Sequence, residues 1–367
     1  MSRVSAALWD LLLGRSQSEP ALVMAPRHGL SRLQGEGLEG LVYSRLQRAG
    51  LPLLPCADAL RPAYRQTAAA NMVMLLELRA VLDALGDLRD ELLILPGAAL
   101  LPLYPDLGCR PMDDIDLLAA RGHLPELRRR LRAAGLDSPR RHDDVFRGAA
   151  LTLDLHGDAL NSDRIRSRRL AGAMDYPALW ECCQPAQLDA AEVRTLAPED
   201  ALIYSAAHAV RHGYSRLTWL IDMALLIQGG VDWAVVRGRA ARFGLERQML
   251  YALRLLAGEA GVVLSPAGNA WRHAMPLGPL ERVLIGRAYA DGPAGEWGDL
   301  LWACCVPRLG RRLWFLLGTA FPRPAVLLQV FPRLPRRLVA LAYLLRVLQL
   351  GVRAIRLGAT YFRRPTR

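Results

Sequence analysis

Residues 92–119 read LLILPGAALLPLYPDLGCRPMDDIDLLA, and the change of hydrophobic period inside this stretch decides the fold. Residues 92–95 are a short continuous apolar run that stops at Pro96-Gly97, the pattern of a buried strand breaking into a turn, and 98–104 follow as a short helix. Residues 115–119 predict a second strand. Outward from there, 122–134 read as helix, and 144–146 and 151–155 as two further strands. Upstream, Leu60, Tyr64, Met72, Leu75, Leu76 and Leu82 recur at helical spacing across 57–85, and Gly86 closes that helix. Strands are therefore expected only within 90–157. From about residue 160 the pattern is helical, with helices expected at 198–212, 215–228, 232–243 and 245–260. The fold class is α+β: a small mixed-sheet core embedded in a mostly helical protein. The chain divides into an N-terminal helical region (1–88), the core (89–160), a helical domain (161–300) and a C-terminal tail (301–367).

The chain of 367 residues can bury a substantial core, and 52% hydrophobic against 22% charged residues describes a globular protein. No lysine occurs, so all 47 basic residues are arginine. Their distribution matters more than the net charge of +12: residues 308–367 hold thirteen arginines and no Asp or Glu. Removing those thirteen leaves 34 basic against 35 acidic residues, so the body is nearly neutral and the basic character belongs to the tail. The six cysteines form no CxxC pair, which argues against a structural zinc site or a disulfide framework and for a reducing, cytoplasmic setting. The first fifteen residues, MSRVSAALWDLLLGR, carry Asp10 inside a short apolar run and read as an amphipathic helix instead of a signal peptide.

In an extended strand, residues two apart project from one face, so Asp114 and Asp116 are expected to point together while Ile115 and Leu117 face the core. Adjacent carboxylates repel unless a cation lies between them. Mg²⁺ or Mn²⁺ is the expected cation, since it is held through one or two carboxylates plus substrate phosphates. Asp154, flanked by Leu153 and Leu155, offers a third carboxylate on a neighbouring strand, completing a site for metal-assisted displacement at phosphorus. Its neighbour His156 either orients that carboxylate or ends the strand. A D-x-D alone also marks ordinary solvated strand ends; the order of elements around it adds the specificity.

Strand, glycine turn, short helix, D-x-D strand and a later isolated Asp resemble the layout of the DNA polymerase β-like nucleotidyltransferase superfamily. The chain is similar, more closely, to a poorly characterised bacterial nucleotidyltransferase family. That resemblance rests on Tyr-Pro-Asp at 104–106 leading into RPMDDIDLL at 110–118, on LTLDLHGDAL at 151–160 and on LAPEDALIYSAAHAVRHGYSRLTWLIDMALLI at 196–227, and it covers roughly residues 60 to 260. It implies Asp114, Asp116 and Asp154 as catalytic metal ligands. It implies a nucleoside triphosphate substrate gripped by backbone N–H groups around Gly97 and Ala98. The acceptor is left open among a glycan, a peptide and a small molecule. Where that family has Lys-Gly, this chain has Pro96-Gly97. Either Arg110 or another arginine supplies the missing cation, or turnover is weakened, leaving a nucleotide-binding or scaffold protein; transfer of the γ-phosphate at the same site is a further alternative.

His208 and His212 stand at i and i+4 on one expected helix, with Asp222 on the next, which suits either a second metal or acid/base cluster or a buried polar network tying the helices together. Within the tail, the apolar runs 313–321, 325–331 and 338–345 are interrupted by Arg or Pro, and none reaches the ~18–20 residues of a spanning helix. Alternating Arg with Leu, Trp, Tyr and Phe suits helices lying on an anionic membrane surface, peripheral on its cytoplasmic side, or packed on the body with arginines outward. A nucleic-acid groove fits less well, because the aromatics are few.

Overall fold

The computed structural model describes residues 3–15, 33–50, 55–189, 191–292 and 297–363. Helices α1 (Ala6–Leu12) and α2 (Glu39–Arg48) come first, α1 starting at Ser5, whose hydroxyl accepts the Leu8 N–H. The long α3 (Pro55–Leu85) buries Met74, Leu75, Leu78, Val81, Leu82 and Leu85 along one stripe. That stripe lies against a six-stranded sheet of order β3-β4-β2-β1-β6-β5.

Strand β1 (Leu92–Ile94) runs antiparallel to β2 (Ile115–Ala119), and β2 pairs in parallel with β4 (Thr152–His156). The short β3 (Val145–Arg147) closes that edge antiparallel to β4. Both faces of the central strands are buried. Leu92, Ile94, Ile115, Leu117 and Ala119 pack toward α3 and α4 (Leu124–Ala133), whereas Leu93, Leu95 and Leu118 enter the larger core on the opposite face. Burial on both sides explains why 92–95 reads as an unbroken apolar run instead of an alternating one.

On the other side of β1 the structure departs from the sequence expectation. Residues beyond 160 were expected to be helical, but after α5 (Tyr176–Cys182) a hairpin of β5 (Gln184–Leu188) and β6 (Ala191–Thr195) joins the sheet, β6 lying parallel to β1. β5 reads QPAQL and buries only Leu188 fully, so neither alternation nor an apolar run marks it. It forms because β6 satisfies the otherwise open edge of β1.

Four helices follow: α6 (Pro198–Arg211), α7 (Thr218–Gln228), α8 (Trp233–Phe243) and α9 (Glu246–Gly258), close to the expected spans. Three more, α10 (Pro266–Ala274), α11 (Pro279–Asp291) and α12 (Gly298–Cys304), complete the body. One apolar core joins Trp9, Leu12 and Leu41 of the N-terminal helices to α6, α7, α9 and α12, and Leu301–Val306 is buried in the same core.

The tail forms α13 (Leu309–Ala320), α14 (Pro324–Val330) and α15 (Val339–Arg363). The run 338–345 does not stop short, as its arginines suggested; it continues through Arg346 and Arg353 into a helix of 25 residues. The overlapping span Arg336–Arg356 contains an 18-residue window with a mean hydropathy of 1.7 and 6% of that window buried, enough by length and composition to cross a membrane.

One interaction outside the regular elements positions β4. The Glu77 carboxylate of α3 accepts the N–H groups of Ala149, Ala150 and Leu151 at 2.8, 2.8 and 2.9 Å, tying down the β3–β4 turn. Burial raises its pKa, but the three backbone hydrogen bonds outweigh this and hold it below the usual carboxylate range. Glu77→Ala is expected to lower stability at neutral pH by about 1–2 kcal/mol. Because the folded pKa is depressed, this contribution is complete above the unfolded value of about 4.3 and disappears as pH falls through the folded one, so urea midpoints of wild type and variant should converge in acid.

Candidate functional site

The register of β2 on β4 sets Asp116 directly beside Asp154, and Leu118 beside His156. Asp116 shares a strand face with Leu118, the face turned toward the helical core, and Asp154 shares one with His156. The result is a polar spot on the sheet. His156 Nε2 lies 2.7 Å from Asp116 Oδ1 and 3.7 Å from Asp154 Oδ2. Burial lowers the His156 pKa, but hydrogen bonding and charge from Asp116, with Asp154 behind it, outweigh burial and raise it above the ordinary imidazole value. At Asp116 burial raises the pKa and the His156 contact more than reverses it, whereas Asp154 stays raised, chiefly by burial.

Asp116, Asp154 and His156 each offer a ligand atom within 4.8 Å of the others, a donor set that could hold a divalent metal ion. The sequence had weighed His156 only as an orienting residue or a strand end; its place two residues after Asp154 on the same face was the available signal. Asp114 stands apart from this set, just before β2 and exposed at the mouth of the pocket. Enough protein surrounds it that desolvation, followed by the charges of Asp116, Asp154 and Asp113, pushes its carboxyl up to about 6. Asp113 pairs at the surface with Arg216 at 2.6 Å.

The segment carrying these acids is clamped. Gly40 of α2 approaches the backbone of Gly108 so closely that a Cβ would fall 1.9 Å from the Gly108 carbonyl oxygen. Asp106 accepts from Ser44 Oγ at 2.7 Å and from the Gly108 N–H at 3.0 Å, and Asn71 Nδ2 donates to the carbonyls of Leu107 and Arg110. Arg110 itself is buried, its guanidinium donating to both oxygens of Asp222 at 2.9 and 2.8 Å while Tyr104 donates to Asp222 at 2.6 Å. Asp222 thus supplies the counter-charge of Arg110 instead of joining His208 and His212 as a ligand, and the Arg110 charge expected to face a triphosphate is spent within the protein.

The acids line a cavity of about 420 Å³. Pro96 and Gly97 form one wall; Gly97 has φ 141°, and nothing lies within 4 Å of where its Cβ would be, so the backbone is open to a ligand. Ala98 is buried and takes no part in the lining. Facing the turn, α6 and α7 present Tyr204, His208, His212 and Trp219, with the two imidazole rings 4.5 Å apart and Trp219 at 5.1 and 5.3 Å from them. Burial, then the neighbouring His212, drives His208 well below its ordinary pKa; burial and the charges of Arg211 and Arg168 bring His212 down to about 4. Both are neutral rings at physiological pH. Arg164, Arg211 and Arg216 also line the cavity.

A family model described as an uncharacterised nucleotidyltransferase matches residues 27–258. The chain belongs to this nucleotidyltransferase family. No curated protein and no solved structure matches. The matched span contains every residue named in the cavity, from the Pro96-Gly97 turn to Asp222.

Two measurements test the geometry of this member of the family. Asp154 and His156, both raised, take up protons that a metal held between them must displace. Mn²⁺ affinity followed by electron paramagnetic resonance is expected to fall as pH is lowered, its logarithm changing by at least about one unit per pH unit below the ordinary imidazole value of about 6.5. Asp222→Asn strips the buried Arg110 of its counter-charge and should cost about 3–5 kcal/mol in chemical denaturation, with Asp113→Asn at the surface close to neutral.

Proposed function

We propose that the chain transfers a nucleotidyl group from a nucleoside triphosphate to an acceptor oxygen, a hydroxyl or a phosphate, with release of pyrophosphate. The observation carrying this reading is the side-by-side placement of Asp116 and Asp154, closed by His156, at the bottom of a cavity in a nucleotidyltransferase family member. Asp116 and Asp154 would hold a divalent cation, Mg²⁺ or Mn²⁺, with His156 orienting Asp116 and Asp114 completing the carboxylates at the mouth. When bound, such a cation neutralises phosphate charge and favours the ionised form of the attacking oxygen.

This chain's own residues account for the remainder. The open backbone at Gly97 admits phosphate oxygens close to the turn. With proline at 96 and Arg110 committed to Asp222, Arg164 and Arg211 supply the positive charge that faces the triphosphate. The neutral rings of His208 and His212, with Trp219 set at 76° and 47° to them, form an aromatic wall that offers ring faces and edges to a base without an ionic cost. Rate enhancement then comes from positioning and from charge arranged in advance.

Incubation with each nucleoside triphosphate, labelled at the α or the γ phosphate, tests the reading. Metal-dependent appearance of α-label in a product, reduced at least about 100-fold by Asp116→Ala, is expected. Movement of γ-label instead would replace nucleotidyl transfer by phosphotransfer. Equal behaviour of wild type and Asp116→Ala with every nucleotide would sink both.

A further inference from the structure

The carboxylate cavity shares Arg211, His212 and Ser215 with a second cleft of about 680 Å³ that opens toward α12 and α15. Among the described residues lining this cleft are five arginines, Arg168 and Arg211 from the body and Arg346, Arg353 and Arg356 from α15, against one carboxylate, Asp299. Asp299 is already shared, lying 3.5 Å from Arg168 and 3.2 Å from Arg353. The crowding is costly: burial, followed by the charge of Arg211, pushes Arg168 down to about 10. The Arg346 Nε is buried without a hydrogen-bond partner among the described residues.

Helix α15 is also oriented against the usual rule. Arg346, Gln349, Arg353 and Arg356 recur at three- and four-residue spacing and line the cleft, while Leu341, Leu344, Leu348 and Ile355 form a separate stripe, each at least 40% exposed. Packing on the body with arginines outward was one expectation for this tail; Arg308, Arg311, Arg323, Arg333, Arg336 and Arg337 are exposed accordingly, whereas Arg346 and Arg353 turn toward the cleft. Burial of apolar surface does not favour that orientation, and mutual repulsion of the arginines opposes it. A multiply charged anion in the cleft offsets both costs. Guanidinium forks match phosphate oxygens, and five cations against one carboxylate exceed what a single carboxylate ligand could neutralise.

We infer that this cleft binds a phosphoryl group, a phosphate or diphosphate, carried by the acceptor molecule that is modified in the adjoining carboxylate cavity. That the bound molecule is the acceptor rests on the nucleotidyl-transfer reading; that it carries a phosphoryl group rests on the arginines. The shared wall of Arg211, His212 and Ser215 places the two ligands side by side, triphosphate over the carboxylates and acceptor phosphate over the arginines. The phosphoryl group belongs either to a soluble ester or to a lipid headgroup, the latter reached through the exposed stripe of α15.

Calorimetric titration of the full chain with sodium pyrophosphate, with chelator present and at low ionic strength, tests the cleft. Pyrophosphate is expected to bind wild type and Asp116→Asn within about twofold of each other, and the Arg346→Gln/Arg353→Gln double variant about tenfold or more weakly. Arg356→Gln, an exposed change that leaves the fold intact, should weaken binding about threefold. Undiminished binding by all the arginine variants overturns the inference, as does absence of binding to wild type at millimolar pyrophosphate. Loss of binding in Asp116→Asn alone would put the anion in the metal cavity and overturn it equally. Magnesium-nucleotide titration reports separately on the nucleotidyl-transfer reading: its failure with pyrophosphate binding intact removes the acceptor role and keeps the phosphoryl site. Flotation with phosphatidylcholine vesicles, with and without phosphatidate, separates the sources. Flotation that needs phosphatidate and is competed by pyrophosphate assigns a lipid-borne phosphate; none, with pyrophosphate binding intact, assigns a soluble one.

Discussion

Parallel pairing of β2 with β4 forces two carboxylates, Asp116 and Asp154, to lie side by side on a sheet face that is otherwise part of a hydrophobic core. Neighbouring strands sit about 4.8 Å apart, and at that separation two like charges in a partly desolvated place repel by several kcal/mol. Much of the surrounding structure follows from accommodating them. His156, two residues beyond Asp154, puts a basic ring between the acids. The helices opposite leave a cavity instead of closing on the sheet, and they face it with imidazoles kept neutral by burial and with Arg211, while Arg164 reaches it from the turn after β4.

Rigidity around this polar spot comes from polar contacts that never touch the acids. The buried Arg110–Asp222 pair, with Tyr104 on the same carboxylate, locks the loop entering β2 to α7. The Gly40–Gly108 approach and Asn71 lock it to α2 and α3, and Glu77 holds the turn that leads into β4. Both strands of the acid pair are thus anchored at their entry ends. A metal-binding site gains from this, because ligands fixed before binding lose little freedom when an ion arrives.

Charge in the tail is organised differently from charge in the body. Several buried arginines of the body each meet one acid, as at Arg110–Asp222, Arg239–Asp200 and Arg247–Glu281. Around Arg168 and α15 a single carboxylate serves several cations, and the apolar stripe of the same helix is turned away from the protein.

Local pattern carried much of this protein in its sequence. The run 92–95, the turn at Pro96-Gly97, the strand at 115–119 and the helices between 198 and 260 are each specified by period and by glycine or proline punctuation within a few residues, and so are Asp116 and Asp154 as acids on strands, with Asp114 falling just before β2. What depended on distant partners was not readable. β5 exists because β6 finds the edge of β1, and nothing in QPAQL announces it. Arg110 looked like a phosphate ligand and Asp222 like a partner for His208 and His212, until chain segments 112 residues apart met and neutralised each other. The length of α15 and the inward turn of its arginines were likewise decided by packing. The physical reason is the same throughout: backbone propensity and periodicity act over a turn or two of chain, whereas burial, strand pairing and the cancellation of charge depend on which surfaces the folded chain brings together.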